Sequence, residues 1–379
     1  MSRTIHTTHL PSASPGTRRS LDFIHYGTPG QGKKAYLQAA LHADEIPGLL
    51  VLHQLIEMLD RADQAGQICG HIVLAPIANP IGLSQHLLGE LTGRYDQASG
   101  INFNRNYADL STQILDVIGD ELGDDAKHNT RLIRHSARQI LADQACLNET
   151  DALKNTLMLN AVDADIVLDL HCDWQAALHL YTGTEIWPQA RDLAAYMGAK
   201  TVLLAEISGG HPFDEALSGL WWSLAKQCPD KAIEAACVAI TIELRGKADV
   251  EEQQAHDDAL ALFYYLQAQG LIEGTAPMPP ALQTHATPLD GVEKVIAPFA
   301  GVVSYQVKPG QRVYPGEVLC TLFDISQYGG SEARIELKAG IEGVMYAHRL
   351  DRLSRPGQIL CRIAGEESLP TQNGMLLTD

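Results

Sequence analysis

No C-x-x-C pair occurs in these 379 residues, and the seven cysteines (Cys69, Cys146, Cys172, Cys228, Cys237, Cys320 and Cys361) are scattered and odd in number. That pattern argues against a disulfide framework and for reduced thiols in a cytoplasm. Long apolar runs are also missing: no stretch reaches the roughly 18 uninterrupted apolar residues of a membrane-spanning helix. The N-terminal MSRTIHTTHLPSASPGTRRS puts polar and turn-forming residues where a secretion signal needs an apolar run. Basic residues are few, 28 against 46 acidic ones, and the formal net charge of -18 argues against nucleic acid or an anionic membrane as partner. A cytoplasmic location is expected.

What is present is an apolar share of 45% with 20% charged residues, the balance of a folded protein. The length exceeds what one core usually fills, so two domains are expected. Short apolar runs at Ala35 to Leu41, His71 to Ile77, Asp165 to Leu170, Thr201 to Ala205 and Val238 to Leu244 read as buried strands. Amphipathic segments lie between them, at Pro47 to Asp60, Ser111 to Leu147, Trp187 to Met197 and Glu251 to Gln269. Strands alternating with helices predict an α/β sheet covered on both faces, with its site beyond the carboxyl ends of the strands.

The composition changes near residue 272 to IEGTAPMPPALQTHATPLD, a Pro-rich stretch that reads as a linker. The expected division is residues 1–275, a linker at 276–290 and a β-rich unit at 291–379. In the last unit Ile296-Ala-Pro-Phe-Ala-Gly-Val-Val303 is echoed by Leu337-Lys-Ala-Gly-Ile-Glu-Gly-Val-Met345, and each copy leads into an apolar strand. Two such half-units predict a small barrel or sandwich. The duplication resembles the biotinyl/lipoyl carrier fold over residues 292 to 365, but the hairpin tip, Asp324-Ile-Ser-Gln-Tyr-Gly-Gly-Ser, has no lysine to modify. Lys338 falls in the opening strand of the second half and reads as a surface charge.

Three stretches carry the chemistry: His42-Ala-Asp-Glu45, Asp169-Leu-His171 and Thr241-Ile-Glu243-Leu. The first two each follow or end an apolar run, and Pro47 marks a helix start that pins the loop carrying His42 and Glu45. Two imidazoles and a carboxylate suit one zinc ion per chain with a fourth position for water, so His42, Glu45 and His171 are the expected ligands. A carboxylate inside Ala-Ile-Thr-Ile-Glu-Leu is costly to bury without a partner, which makes Glu243 the candidate general base; the alternative is a structural pair with Arg245. Strand alternation turns Asp169 to the side of His171 and Cys172 away from it. Trp221-Trp222 reads as helix packing.

These residues resemble the succinylglutamate desuccinylase/aspartoacylase family, a branch of the zinc carboxypeptidase fold, over roughly residues 20 to 270 and on into the β-rich part. The match to its H-x-x-E, D-L-H and E-L motifs is joined by Arg94-Tyr95-Asp96 and Asn102-Phe-Asn104-Arg105. The resemblance implies a zinc carboxypeptidase-like mixed sheet with a small C-terminal β domain shading the site. It also implies that Arg94 stabilises an oxyanion and that Asn104 and Arg105 hold a substrate carboxylate. Asn102 stands where many relatives carry Asp, so a ligand histidine would be oriented by a neutral amide. Ser208-Gly-Gly-His211 resembles the family's glycine-rich substrate loop.

The implied activity is deacylation of an N-acyl amino acid or related small amine carrying a carboxylate. The same residues would serve a carboxypeptidase on short peptides, and a non-catalytic binding protein is the reading from another class. Tyr305, Tyr314 and Tyr346 are candidate contributors from the β domain, and a homo-oligomer is left open.

Overall fold

Neighbouring residues along each central strand face opposite cores: Tyr36, Val167 and Ala239 pack on one side of a sheet, and Leu37, Leu168 and Ile240 on the other. This is the signature of a sheet buried on both faces. The computed structural model describes residues 2–370 and Leu376. Its main sheet has nine strands in the spatial order Thr4–His9, Ser20–Tyr26, His71–Ala75, Lys34–Ala39, Ile166–Asp173, Val238–Gly246, His179–Gly183, Thr201–Ala205 and Ala286–Pro288. The centre is parallel; Thr4–His9, Ser20–Tyr26 and the pairing of His179–Gly183 with Val238–Gly246 introduce the antiparallel contacts that make the sheet mixed.

Helices Ser111–Ile118, Ala126–Asp143, Glu149–Ala161 and Phe213–Gln227 supply one covering layer. Pro47–Gln64, Trp187–Met197 and Glu252–Ala268 supply the other. Gly48 sits where helix meets sheet, and an added Cβ there would lie 3.1 Å from the Cβ of Ala39. The segment Ser111 to Leu147, which reads as one helix, is two, because the chain turns over Gly119–Glu121 and restarts where the Asp125 side chain accepts from the His128 N–H. Within the Pro-rich stretch, Ala286–Pro288 adds the ninth strand parallel to Thr201–Ala205.

The C-terminal part folds as two antiparallel sheets that share apolar cores. The duplication is visible as two equivalent strand pairs, Gly301–Tyr305 with Val318–Phe323 and Gly343–His348 with Ile359–Ala364. Gln175–Ala176, just past the His171 strand, pairs with Gly343–His348 and joins the two parts of the molecule. Among the described residues, no helix is long and apolar enough to cross a membrane.

At the other side of the main sheet three histidines meet across adjacent strands. His25 Nδ1 lies 3.0 Å from His71 Nε2, and the His6 ring centroid is 4.5 Å from that of His25. Burial, then the nearby His6 and His71, lower the His25 pKa to about 4. Burial and Lys34 lower that of His71 to about 4, against Asp163. Both are therefore less basic folded than unfolded, so their contribution is complete above about pH 6.5 and is lost as the pH falls toward 4. Thermal melts from pH 7 to pH 4.5 should show a decline that His25→Asn with His71→Asn reduces; an identical decline in that variant would contradict the assignment.

Candidate metal centre and cavity

Strand register brings the distant motifs together. His171 lies opposite Glu243, and Asp169 opposite both Thr241 and Gln38, so the motif residues of adjacent strands form rows on one face. His42 and Glu45 arrive in the turn after Lys34–Ala39, where Ala40 takes the left-handed conformation (φ 58°), strained for a residue with a Cβ. Asn79 fixes that turn by donating to the Leu41 carbonyl at 2.8 Å, and Ala43 N–H donates to the Gly93 carbonyl at 3.0 Å. As expected, the helix begins at Pro47.

His42, Glu45 and His171 are all buried, and one donor atom from each lies within 4.8 Å of the others. Glu45 Oε1 is 3.1 Å from His42 Nδ1 and Glu45 Oε2 is 2.8 Å from His171 Nδ1. The far ring nitrogens are committed elsewhere: His42 Nε2 is 2.8 Å from Asn102 Oδ1, and His171 Nε2 is 3.0 Å from Asp169 Oδ2. Asn102 holds the proton of His42 on Nε2 and turns its Nδ1 lone pair inward, and the Asp169 carboxylate stands behind His171, an arrangement of the kind found outside metal-ligating histidines. Behind Asp169 the chain continues through Gln38 Nε2, which donates to Asp169 Oδ1 at 3.0 Å, to Tyr36, whose hydroxyl donates to Gln38 Oε1 at 2.9 Å.

The donors already attract positive charge. Arg94 Nη1 donates to Glu45 Oε1 at 3.0 Å and lies 3.1 Å from His42 Nδ1. Burial favours a neutral Glu45, but His42 and His171 hold its carboxyl well below the usual range. Burial and Arg94 lower the His42 pKa to about 4, whereas Asp169 and Glu45 overcome burial to hold His171 well above its ordinary value. Two neutralisable imidazoles and an ionised carboxylate fit a borderline divalent cation such as zinc.

Glu243 and the triad line the same cavity. Arg245 is not its partner: that guanidinium pairs with Asp258 on the last helix of the main sheet's cover. Glu243 Oε2 has no hydrogen-bond partner among the described residues. Burial, followed by the charge of Glu45, pushes its pKa up to about 8. Asn104 and Arg105 also border the cavity; Asn104 Nδ2 is 3.4 Å from His171 Nε2, and its Oδ1 accepts the Phe213 N–H at 2.8 Å. The Arg105 stem runs against Gly210 of the Ser208 to His211 loop, where His211 itself is exposed.

Other wall residues carry weaker sequence signals. Cys172, expected to turn away, borders the cavity, and its backbone N–H donates to Glu45 Oε2 at 3.1 Å. Trp221 packs in the core as expected, but Trp222 lines the cavity, fitting against Gly183 where any Cβ would clash. The β-rich part reaches the cavity through Arg362, not through Tyr305, Tyr314 or Tyr346. Tyr346 is buried behind the wall, and Tyr314 is 54% exposed.

Comparison with known proteins adds identity to this geometry. Residues 31–268 match the family model described as the succinylglutamate desuccinylase/aspartoacylase catalytic domain. An N-alpha-acetyl-L-2,4-diaminobutyric acid deacetylase of Halomonas elongata is 22% identical over 88% of this chain and 83% of its own. A structure from Shewanella amazonensis, described as of the same family, is 27% identical with a TM-score of 0.83, covering 95% of this chain and 98% of its own. A counterpart from Shewanella frigidimarina has a TM-score of 0.85 at 24% identity, covering 96% and 97%. The shared fold therefore includes the C-terminal sheets.

Proposed function

Because the chain belongs to the succinylglutamate desuccinylase/aspartoacylase family, we propose that it is a zinc-dependent amidohydrolase. Its substrate is an N-acyl amino acid, or a related small N-acyl amine, that carries a carboxylate. One observation carries this reading: two Nδ1 lone pairs and a carboxylate converge beside a second carboxylate whose oxygen has no partner among the described residues. The relative named as a deacetylase of an acetylated diamino acid supports the reaction type.

His42 Nδ1, Glu45 and His171 Nδ1 would hold the zinc. Bound there, the ion supplies Lewis acidity, lowering the pKa of water toward about 7 and polarising the amide carbonyl. Glu243 takes the proton from the attacking water and returns it to the leaving nitrogen, work suited to a carboxylate with a free oxygen on the cavity wall. Arg94, one N–H already beside the triad, has further donors for the carbonyl oxygen as it gains charge. Asn104 and Arg105 hold the substrate carboxylate, for which a guanidinium fork is well matched. Asn102 keeps the His42 imidazole in the required tautomer, and the Asp169 carboxylate beside His171 orients the second ring by charge.

A panel of acetyl, succinyl and aspartyl amides of amino acids, together with short peptides, tests the assignment on zinc-loaded protein. Release of a free acid from at least one N-acyl amino acid is expected. Cleavage restricted to the C-terminal residue of peptides would overturn it in favour of a carboxypeptidase.

A further inference from the structure

We propose that Arg362, Asp173 and Trp174 form a carboxylate-binding subsite in this cavity, taking a second acidic group of the substrate besides the one assigned to Asn104 and Arg105. The identity of the ligand as part of an acyl amino acid rests on the deacylase reading; the subsite itself rests on geometry. Arg362 lies on Ile359–Ala364, next to the strand that Gln175–Ala176 ties to the main sheet. Its neighbours Cys361 and Ile363 pack into the β core, and alternation sends Arg362 to the opposite side, onto the cavity wall.

The guanidinium there is only 16% exposed and is braced. Its Nη1 donates to Asp173 Oδ2 at 2.8 Å, and the group lies 4.8 Å from the centroid of the Trp174 ring. Asp173 Oδ1 accepts the Trp174 N–H at 2.7 Å, so acid, ring and guanidinium hold one another in place. Asp173 is the one hydrogen-bond partner of the Arg362 guanidinium among the described residues. A guanidinium carries five N–H donors in a planar fork. Anchored by one carboxylate and stacked on a ring, it keeps donors for another carboxylate at little further cost in side-chain freedom. Asp173, two residues past His171, and Arg362 both border the cavity, which puts that fork within the site where substrate must lie.

The test compares acid and amide members of matched pairs on the full-length, zinc-loaded protein. Aspartate against asparagine, and glutamate against glutamine, are titrated by calorimetry, and their N-acetyl forms are assayed for hydrolysis. The wild type should favour the acid in at least one pair, by roughly 10- to 100-fold, the range of a charge-assisted contact. Arg362→Gln should collapse that ratio, and Arg362→Lys should restore part of it. Equal affinity for acid and amide in the wild type overturns the proposal. So does a ratio that survives Arg362→Gln, or an equal loss for both members, which a purely structural ion pair would give. If the glutamine variant does not fold, the wild-type ratio and the lysine variant decide. Binding reports on the subsite even if no N-acetyl compound is hydrolysed, and hydrolysis with a flat ratio sinks the subsite alone.

Discussion

Glutamine at position 243 should lower kcat by about 10²- to 10⁴-fold, the range attributable to a lost general acid–base, while zinc stays bound and the fold stays intact. The side chain keeps its shape, so the packing between the His171 strand and the strand His179–Gly183 is undisturbed. No hydrogen bond to Oε2 is broken, since none exists among the described residues. An ionised carboxylate is disfavoured here, with burial and then Glu45 pushing its pKa up to about 8. The amide has the same shape and adds no charge, so the melting temperature should hold. Steady-state kinetics, metal analysis and a thermal melt on one preparation check all three. A kcat within a factor of a few of wild type would assign the proton transfer to another group.

His171→Ala should abolish stoichiometric zinc binding and reduce activity to that of chelator-treated wild type. Loss of a Lewis acid worth several kcal/mol corresponds to a fall on the order of 10³-fold or more. Unlike the change at Glu243, this one also costs stability. Asp169, with no exposed surface, would face the space left by the imidazole without its ion-pair partner, keeping the hydrogen bond from Gln38. Removing one member of a buried charged pair typically costs about 3–5 kcal/mol. Metal analysis and denaturant unfolding measure the two effects separately. Retention of one tightly held zinc in this variant would exclude His171 as a ligand.

How far the site could be read in advance followed from where each residue lies on a strand. His42 and His171 follow and end apolar runs, and Glu243 interrupts one, so their types conflict with the pattern around them and stand out. Strand alternation was enough to put Asp169 beside His171, and the neutral Asn102 does meet a candidate ligand histidine, His42. Arg362 had no such signal. Its partner Asp173 is 189 residues away, and they meet where Gln175–Ala176 pairs with the C-terminal sheet, a tertiary contact that sequence pattern does not show. Trp222 does pack as a buried helix residue, and that it also borders a cavity has no sequence signal: two adjacent tryptophans on a helix face different surroundings, and helical periodicity alone does not say that one surrounding is a cavity.

The fold was legible where apolar runs were continuous. The strand Thr4–His9 was not, because every residue in it is exposed and it is held by backbone pairing to Ser20–Tyr26 alone among strands. Its sequence, TIHTTH, has no burial pattern to read. His179–Gly183 was missed because one neighbour runs antiparallel and its alternation is short. Within the Pro-rich residues 276–290, three find an open sheet edge at Thr201–Ala205, a contact set by tertiary structure that composition does not show.

Anomalous X-ray diffraction at the zinc edge, from crystals of zinc-loaded protein, tests the central claim most directly. The account predicts one peak per chain, roughly 2.0–2.2 Å from His42 Nδ1, a Glu45 carboxylate oxygen and His171 Nδ1. A peak elsewhere, none at this triad, or coordination through the Nε2 atoms would contradict it.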